Sequence, residues 1–244
     1  YDMVVQAMGG VMSLTGHPGG PPTRVGTSTG DLTAALFATI GIVTALYGRE
    51  KTGRGQKVDV AMLDSQVAVL ENAISRYVAT GEVPGKLGSR HPSIAPFAAF
   101  ATKDGHIAIA AGNDDIWARV CKVMGREELI ADERFRTNPL RVNHVDAMAA
   151  EMEKTLASKP SHEWLAALEA QGVPCGPIND VAHVMADPQV LARNMIIETL
   201  DPELGPIKMQ GNPVKLSAHD DPKTRNAAPD LDADREAILK EFGL

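Results

Sequence analysis

The sequence predicts a mixed chain, α/β or α+β, arranged in two lobes, on the strength of three observations. A long apolar helical pattern starts at Asp31, directly after a glycine-rich loop. Strand-like alternation runs through Gln56 to Ala61, and again on both sides of a Lys103-Asp104-Gly105 turn. From Asp114 onward the apolar residues mostly recur with the period of amphipathic helices.

Taken in order, Tyr1 to Thr15 carries short apolar groups interrupted by Gly9 and Gly10. His17 to Gly30 is dense in glycine and proline and reads as a loop. Asp31 to Glu50 reads as one helix, apolar on nearly all sides and therefore expected to be buried; Gly53 and Gly55 end it. Gln56 to Ala61 suits a short strand. Met62 to Thr80 returns to a helical period, with Leu63, Val67, Leu70 and Ile74 on one face. Glu82 to Pro96 is a second loop, and Phe97 to Ala111 a hairpin. Helices are expected at Asp114 to Met124, Asn138 to Leu156 and His162 to Gln171, the last with Ser161 as N-cap and Gly172-Val173-Pro174 as its stop. Short helices at Val181 to Met185 and Pro188 to Arg193 lead to a strand-like stretch, Ile196 to Leu216, broken by Pro202, Gly205 and Pro213. Ala233 to Phe242 closes the chain as a helix.

Composition narrows the function classes. A hydrophobic share of 44% over 244 residues is that of an ordinary globular protein. A net charge of -7 without a basic stripe argues against nucleic acid as a partner. The longest apolar run, Leu36 to Leu46, is broken by Thr39, Gly41 and Thr44, so no membrane helix is expected. No basic region followed by an apolar core opens the chain, so no signal peptide is expected; apolar sequence from Tyr1 onward suggests a start inside a domain. Cys121 and Cys175 form no disulfide framework and no metal-ligand spacing, which fits a reducing cytoplasm. The histidines show no i, i+4 pair, and no metal site is expected. Hydrolase G-x-S-x-G, dinucleotide G-x-G-x-x-G and Walker motifs are absent from the sequence.

One acid stands out. Asp31 follows Gly26-Thr27-Ser28-Thr29-Gly30 and opens the apolar helix, where the helix dipole attracts a carboxylate and glycine lets a ligand approach the backbone. It has two readings: a plain N-cap, or a ligand-facing carboxylate acting as nucleophile or base. Residue spacing leaves both open. Asp2, Asp59 and Asp64 also adjoin apolar sequence, and His91 lies in the Gly88-Ser89-Arg90-His91-Pro92-Ser93 loop.

Three blocks carry a resemblance: GGVMSLTGHPGGPPTRVGTSTGDLTAALFATIGIVTALYGREKTGRGQKVDVAMLD at 9 to 64, GVPCGPINDV at 172 to 181, and DPQVLARNM at 187 to 195. On these the chain resembles the class III CoA-transferases, also called the CaiB/BaiF or formyl-CoA transferase family, over the C-terminal portion of family members. The resemblance implies an α/β fold: part of a Rossmann-like large lobe plus a smaller α+β lobe, in an interlocked homodimer. Residues 1–66 would be a large-lobe segment, 67–85 a linker helix, 86–185 the small lobe and 186–244 a return to the large lobe. The family's nucleophilic aspartate matches Asp31. The implied reaction moves coenzyme A between carboxylic acids by double displacement, through an aspartyl-acyl anhydride and an aspartyl-CoA thioester. The acyl-CoA is a substrate, and no tightly bound cofactor, metal, nucleic acid or membrane is implied.

Asp2 would support Asp31, Tyr1 would touch CoA, and Arg90, His91 and Ser93 would form the substrate loop. That loop lacks the glycine run of formyl-CoA transferase, which points to larger acids than formate or oxalate. The family's racemases and epimerases carry a histidine thirty positions before the aspartate. Tyr1 stands there instead, and a phenol is a poor base at neutral pH. A non-catalytic fragment is the remaining alternative, and the chain by itself is expected to be inactive.

Overall fold

The computed structural model describes residues 1–243, and the chain divides into two compact units, 1–177 and 178–244. The first opens with α1 (Asp2–Met8) and α2 (Val11–Leu14), separated by Gly9 and a left-handed Gly10. A loop of glycine and proline leads to α3 (Thr29–Thr52), which ends where Gly53 turns left-handed and donates its N–H to Arg49 O at 2.7 Å.

The expectation that α3 is buried does not hold: Gly30 is its only buried residue. The helix packs against α1 and α4 along one side, and Leu36, Ile40 and Val43 stand exposed. By length and a mean hydropathy of 1.5, α3 is also sufficient to cross a bilayer. The broken apolar run does not suggest this, because small and hydroxylated residues interrupt it without making it polar. Residues 54–61 run alongside, with Val58 against Gly41; a Cβ at Gly41 would come within 2.8 Å of Val58 Cγ1. The strand expected at 56–61 is absent, because nothing among the described residues pairs with it.

The helix expected over 62–80 is two helices, α4 (Met62–Ala68) and α5 (Asn72–Thr80), parted at Glu71. Glu71 has φ +52, a strained value for a residue with a side chain. The loop after α5 leads into an antiparallel hairpin, β1 (Phe97–Ala101) and β2 (His106–Ala110), with Phe100 opposite Ile107. Then follow α6 (Asp114–Met124), α7 (Glu128–Ala131), α8 (Asn138–Asn143), α9 (Val145–Leu156), α10 (Ser161–Ala170) and β3 (Cys175–Pro177). β3 pairs antiparallel with β2, giving the order β1-β2-β3.

Here the sequence pattern and the structure agree closely. Ile107 and Ile109 alternate inward from β2 onto Trp117, Cys121, Met152 and Leu168, all nearly inaccessible to solvent. Each large apolar side chain buried this way contributes about 1.5–3 kcal/mol. Asn113 caps α6 by accepting the Ile116 N–H at 2.9 Å. Two details differ. The helix expected over 138–156 breaks at His144. Ser161 is the first residue of α10 rather than its cap, and its N–H and Oγ both donate to Asp104 Oδ1 at 2.8 Å.

Arg141 of α8 has a fully buried guanidinium. It donates to Ala95 O at 2.7 Å, Phe135 O at 2.8 Å and Asp114 Oδ1 at 2.6 Å, and stacks over Trp117. Burial pushes the Cys121 thiol up to about 12.

The second unit holds α11 (Val181–Ala186), α12 (Pro188–Ala192), β4 (Ile196–Asp201), β5 (Gly205–Gln210), β6 (Thr224–Asn226) and α13 (Arg235–Phe242). Its sheet order is β5-β4-β6, with β4 antiparallel to β5 and parallel to β6.

Candidate active site

Asp31 is the third residue of α3; Ser28 occupies the N-cap position. Its carboxylate is exposed, and no hydrogen-bond or ion-pair partner touches it among the described residues. The neighbouring amides are mostly taken. Thr29 N–H donates to Thr27 O at 2.9 Å, Gly30 N–H to Asp2 Oδ1 at 2.9 Å and Leu32 N–H to Ser28 O at 3.0 Å. Among these first-turn donors only the N–H of Asp31 itself is free.

Asp2 is the opposite case. Oδ1 accepts from Gly30 N–H and from Gln6 Nε2, each at 2.9 Å. Oδ2 accepts from Gln6 Nε2 at 2.9 Å and from Arg24 Nη2 at 3.2 Å. These bonds, led by those from Gln6, hold the Asp2 carboxyl below the usual carboxylate range, against the opposing effect of burial. Asp2 therefore grips the residue before Asp31 through its amide and makes no bond to the Asp31 carboxylate.

Glycine at position 30 is a steric requirement. A Cβ there would lie 2.6 Å from Val5 Cγ2 and 3.1 Å from Asp2 Oδ1. Two glutamines, both inaccessible to solvent, hold the turn from either side. Gln6 accepts Val25 N–H at 2.9 Å through Oε1, and its Nε2 also reaches Thr27 O at 3.4 Å. Gln66 of α4 donates to Thr33 Oγ1 at 3.1 Å and Thr29 O at 3.3 Å. It approaches α1 so closely that a Cβ on Gly9 would come within 2.5 Å of Gln66 Cβ. Thr29 Oγ1 and Gln66 Oε1 are buried here without a partner. Sequence reading missed both glutamines. The available signal was a Gln four residues after Asp2 on one helix, and a Gln embedded in the apolar run of α4.

Tyr1 is fully exposed and contributes its carbonyl to the start of α1, accepting from Val4 N–H at 3.1 Å and Val5 N–H at 3.2 Å. The 86–93 loop docks on residues 16–21. Gly88 N–H donates to Gly16 O at 2.9 Å, and Lys86 Nζ donates to Gly20 O at 2.9 Å and also to Pro21 O. Arg90 Nη1 pairs with Asp146 Oδ1 at 2.7 Å. His91 stacks on Phe97 with ring centres 5.3 Å apart, and its Nδ1 accepts the Ser93 N–H at 3.2 Å. Arg90 and His91 line a cavity of about 290 Å³ with Arg76 and the strained Glu71. The structure thus brings Asp2 and Asp31 to one turn and places Arg90, His91 and Ser93 on a separate loop, without a hydrogen bond to either acid among the described residues. Asp59 forms an exposed pair with Lys57 at 3.4 Å. Among the described residues, no group of three or more His, Cys, Asp or Glu is placed to hold a metal ion.

Comparison with known proteins gives a consistent answer. The sequence model of CoA-transferase family III matches residues 1–235. Acetyl-CoA:oxalate CoA-transferase of Acetobacter aceti is 46% identical over 99% of this chain and 61% of its own length. Succinyl-CoA:mesaconate CoA-transferase of Haloarcula hispanica is 36% identical over the whole chain and 61% of its own length. The crystal structure of a CaiB/BaiF family protein from Brucella suis superposes with a TM-score of 0.82 at 37% identity, covering 99% of this chain and 62% of that one. The chain therefore spans about three-fifths of the length of the proteins it matches.

Proposed function

Because the chain belongs to CoA-transferase family III, we propose that the full-length protein moves coenzyme A between carboxylic acids, with Asp31 as the covalent carrier. The carrying observation is the contrast between the two acids at the start of α3. Asp2 has both oxygens committed, whereas Asp31 is exposed, unpartnered and held by a fixed backbone.

In the proposed sequence an Asp31 carboxylate oxygen attacks the acyl carbon of the donor thioester. The C–S bond breaks, CoA leaves as thiolate, and an acyl anhydride remains on Asp31. The thiolate attacks the Asp31 carbonyl carbon, expelling the donor acid as carboxylate and leaving an aspartyl-CoA thioester. The acceptor carboxylate attacks that thioester carbon and again releases thiolate. The thiolate then takes the acceptor acyl group and frees Asp31. No proton is gained or lost over the cycle, and the thioester energy stays in covalent form. Each tetrahedral oxyanion needs a nearby donor, and the free Asp31 N–H is one candidate.

The relatives named above act on oxalate and mesaconate. We extend dicarboxylic acids to this chain as the substrate class, with Arg90 meeting the second carboxylate in the loop it shares with His91 and Ser93. Its present partner Asp146 is 93% exposed. A pair of that kind is worth about 0–1 kcal/mol, so an incoming carboxylate can replace it. Contact of Tyr1 with CoA, a dimeric assembly and a cytoplasmic location belong to the same proposal.

The test uses the full-length protein, acyl-CoA and hydroxylamine, with mass spectrometry of the Asp31 peptide. An adduct on Asp31, and loss of at least about 10³-fold in transfer by Asp31→Asn without loss of fold, is the expected result. Transfer retained by Asp31→Asn would overturn the assignment. Deuterium exchange at the acyl α-carbon without an adduct would favour the racemase reading.

A further inference from the structure

The reacting carboxylate makes no bond of its own, so its position is set entirely by the backbone that carries it. Two independent grips hold that backbone. Gln66 holds the α3 side, through Thr29 O and Thr33 Oγ1. Gln6 holds the loop side, through Val25 N–H, Thr27 O and both oxygens of Asp2. Asp2 then takes the Gly30 amide, one residue before Asp31. We propose that Gln6 is a positioning residue for the Asp31 carboxylate: its amide bridges Asp2 to the 25–27 loop, so that the Asp2–Gly30 bond points Asp31 outward, clear of any internal partner. The proposal rests on the reading of Asp31 as acyl carrier and adds to it a residue that never touches substrate.

The chemistry of the bridge dictates an amide at position 6. Toward Asp2 the side chain must donate, since Asp2 is ionised and accepts on both oxygens. Toward Val25 it must accept, since an N–H points at it. A carboxylate satisfies the second demand and fails the first; an aliphatic side chain fails both. The charged groups around position 6 are Asp2 on the same helix and Arg24 from the loop, with Asp31 following on α3; α4 presents the neutral Gln66.

The test measures single-turnover acylation of Asp31 by acyl-CoA in the full-length protein, between pH 5 and pH 8, on Gln6→Glu, Gln66→Met and the double variant Asp2→Asn/Gln6→Glu. In Gln6→Glu the new carboxyl, when protonated, can donate to Asp2. When ionised it repels Asp2 and opens the bridge. Its acylation rate should therefore approach wild type at the acid end and fall by at least roughly tenfold, about 1.4 kcal/mol in barrier, at the alkaline end. Gln66→Met removes the donor to Thr29 O and Thr33 Oγ1, carries no titratable group and should lose rate without gaining that pH dependence. The double variant restores one donor and one acceptor in exchanged positions and should recover rate with a flat profile. It also covers the case in which Gln6→Glu alone does not fold.

A Gln6→Glu profile parallel to wild type, or a double variant no better than the single, overturns the proposal. Wild-type protein that forms no adduct overturns the transferase reading itself, a result distinct from either.

Discussion

Two parts of the first unit use buried polarity in opposite ways. In residues 95–177 a buried arginine accompanies a dense apolar core: Arg141 braces Ala95 and Phe135 and stacks on Trp117, a member of the core that also holds Ile107, Met152 and Leu168. In residues 1–80 the apolar residues largely face outward, and the buried side chains include Gln6, Ser65 and Gln66. The first arrangement makes a lobe that holds itself together. The second fixes the geometry of one short turn, 27–31, and leaves the rest of a long apolar helix uncovered within the chain. The packing of the lobe and the placement of the proposed acyl carrier thus rest on different residues, and a substitution in one region should leave the other nearly intact.

Arg141→Leu is the largest challenge to that division. It removes three hydrogen bonds and strands two buried carbonyls, at a cost of about 3 kcal/mol or more. Urea unfolding followed by tryptophan fluorescence should show it, because Trp117 and Trp164 are the chain's only two tryptophans and both lie in the lobe. Hydrogen exchange of the α1 amides should not change; if it rises in step, the two regions form one cooperative unit.

Gly30→Ala reverses the test. The added Cβ would lie 2.6 Å from Val5 Cγ2, an overpacking worth about 1–3 kcal/mol. Exchange of α1 should quicken and acylation of Asp31 should fall, with the tryptophan-monitored transition unmoved.

The mildest probe is acid. Asp2 is held low by Gln6, Gly30 and Arg24, whereas in the unfolded chain it titrates near 3.8. Such a group stabilises the fold above that value and loses its contribution as pH falls through the lower, folded value. Lowering the pH from 5 toward 3 should therefore loosen α1 from α3, and Asp2→Asn should remove that step from the α1 exchange profile. Asp104, held low by Ser161, gives the lobe its own acid-sensitive step, which the Asp2 variant should leave in place.

The lobe was the legible part of the sequence. The hairpin and α6 show their period directly, because inward positions are apolar and outward positions are not. Arg141 could not be read the same way: a polar residue on a helix registers as surface until its partners are known, and those lie at 95, 114 and 135 in the chain. The same holds for Gln6 and Gln66, whose partners lie across a glycine-rich loop. The break at Glu71 carries neither glycine nor proline, and so left no mark. Asp31 was visible only as an acid at a helix start. Residue spacing left it open between cap and reactive group. The structure removed the first by placing Ser28 at the cap, and the second is the role proposed for it here.

The thiols of the lobe have a bearing on the proposed reaction. A cycle that releases CoA thiolate works beside a sulfur nucleophile and its oxidised disulfide form. Thiol–disulfide exchange requires a protein thiolate that solvent can reach. Cys121 is buried and pushed up to about 12, and burial raises Cys175 as well. At neutral pH both remain protonated almost entirely. The same packing that stabilises the lobe thereby keeps the buried Cys121 from forming mixed disulfides with the CoA thiol of the proposed cycle.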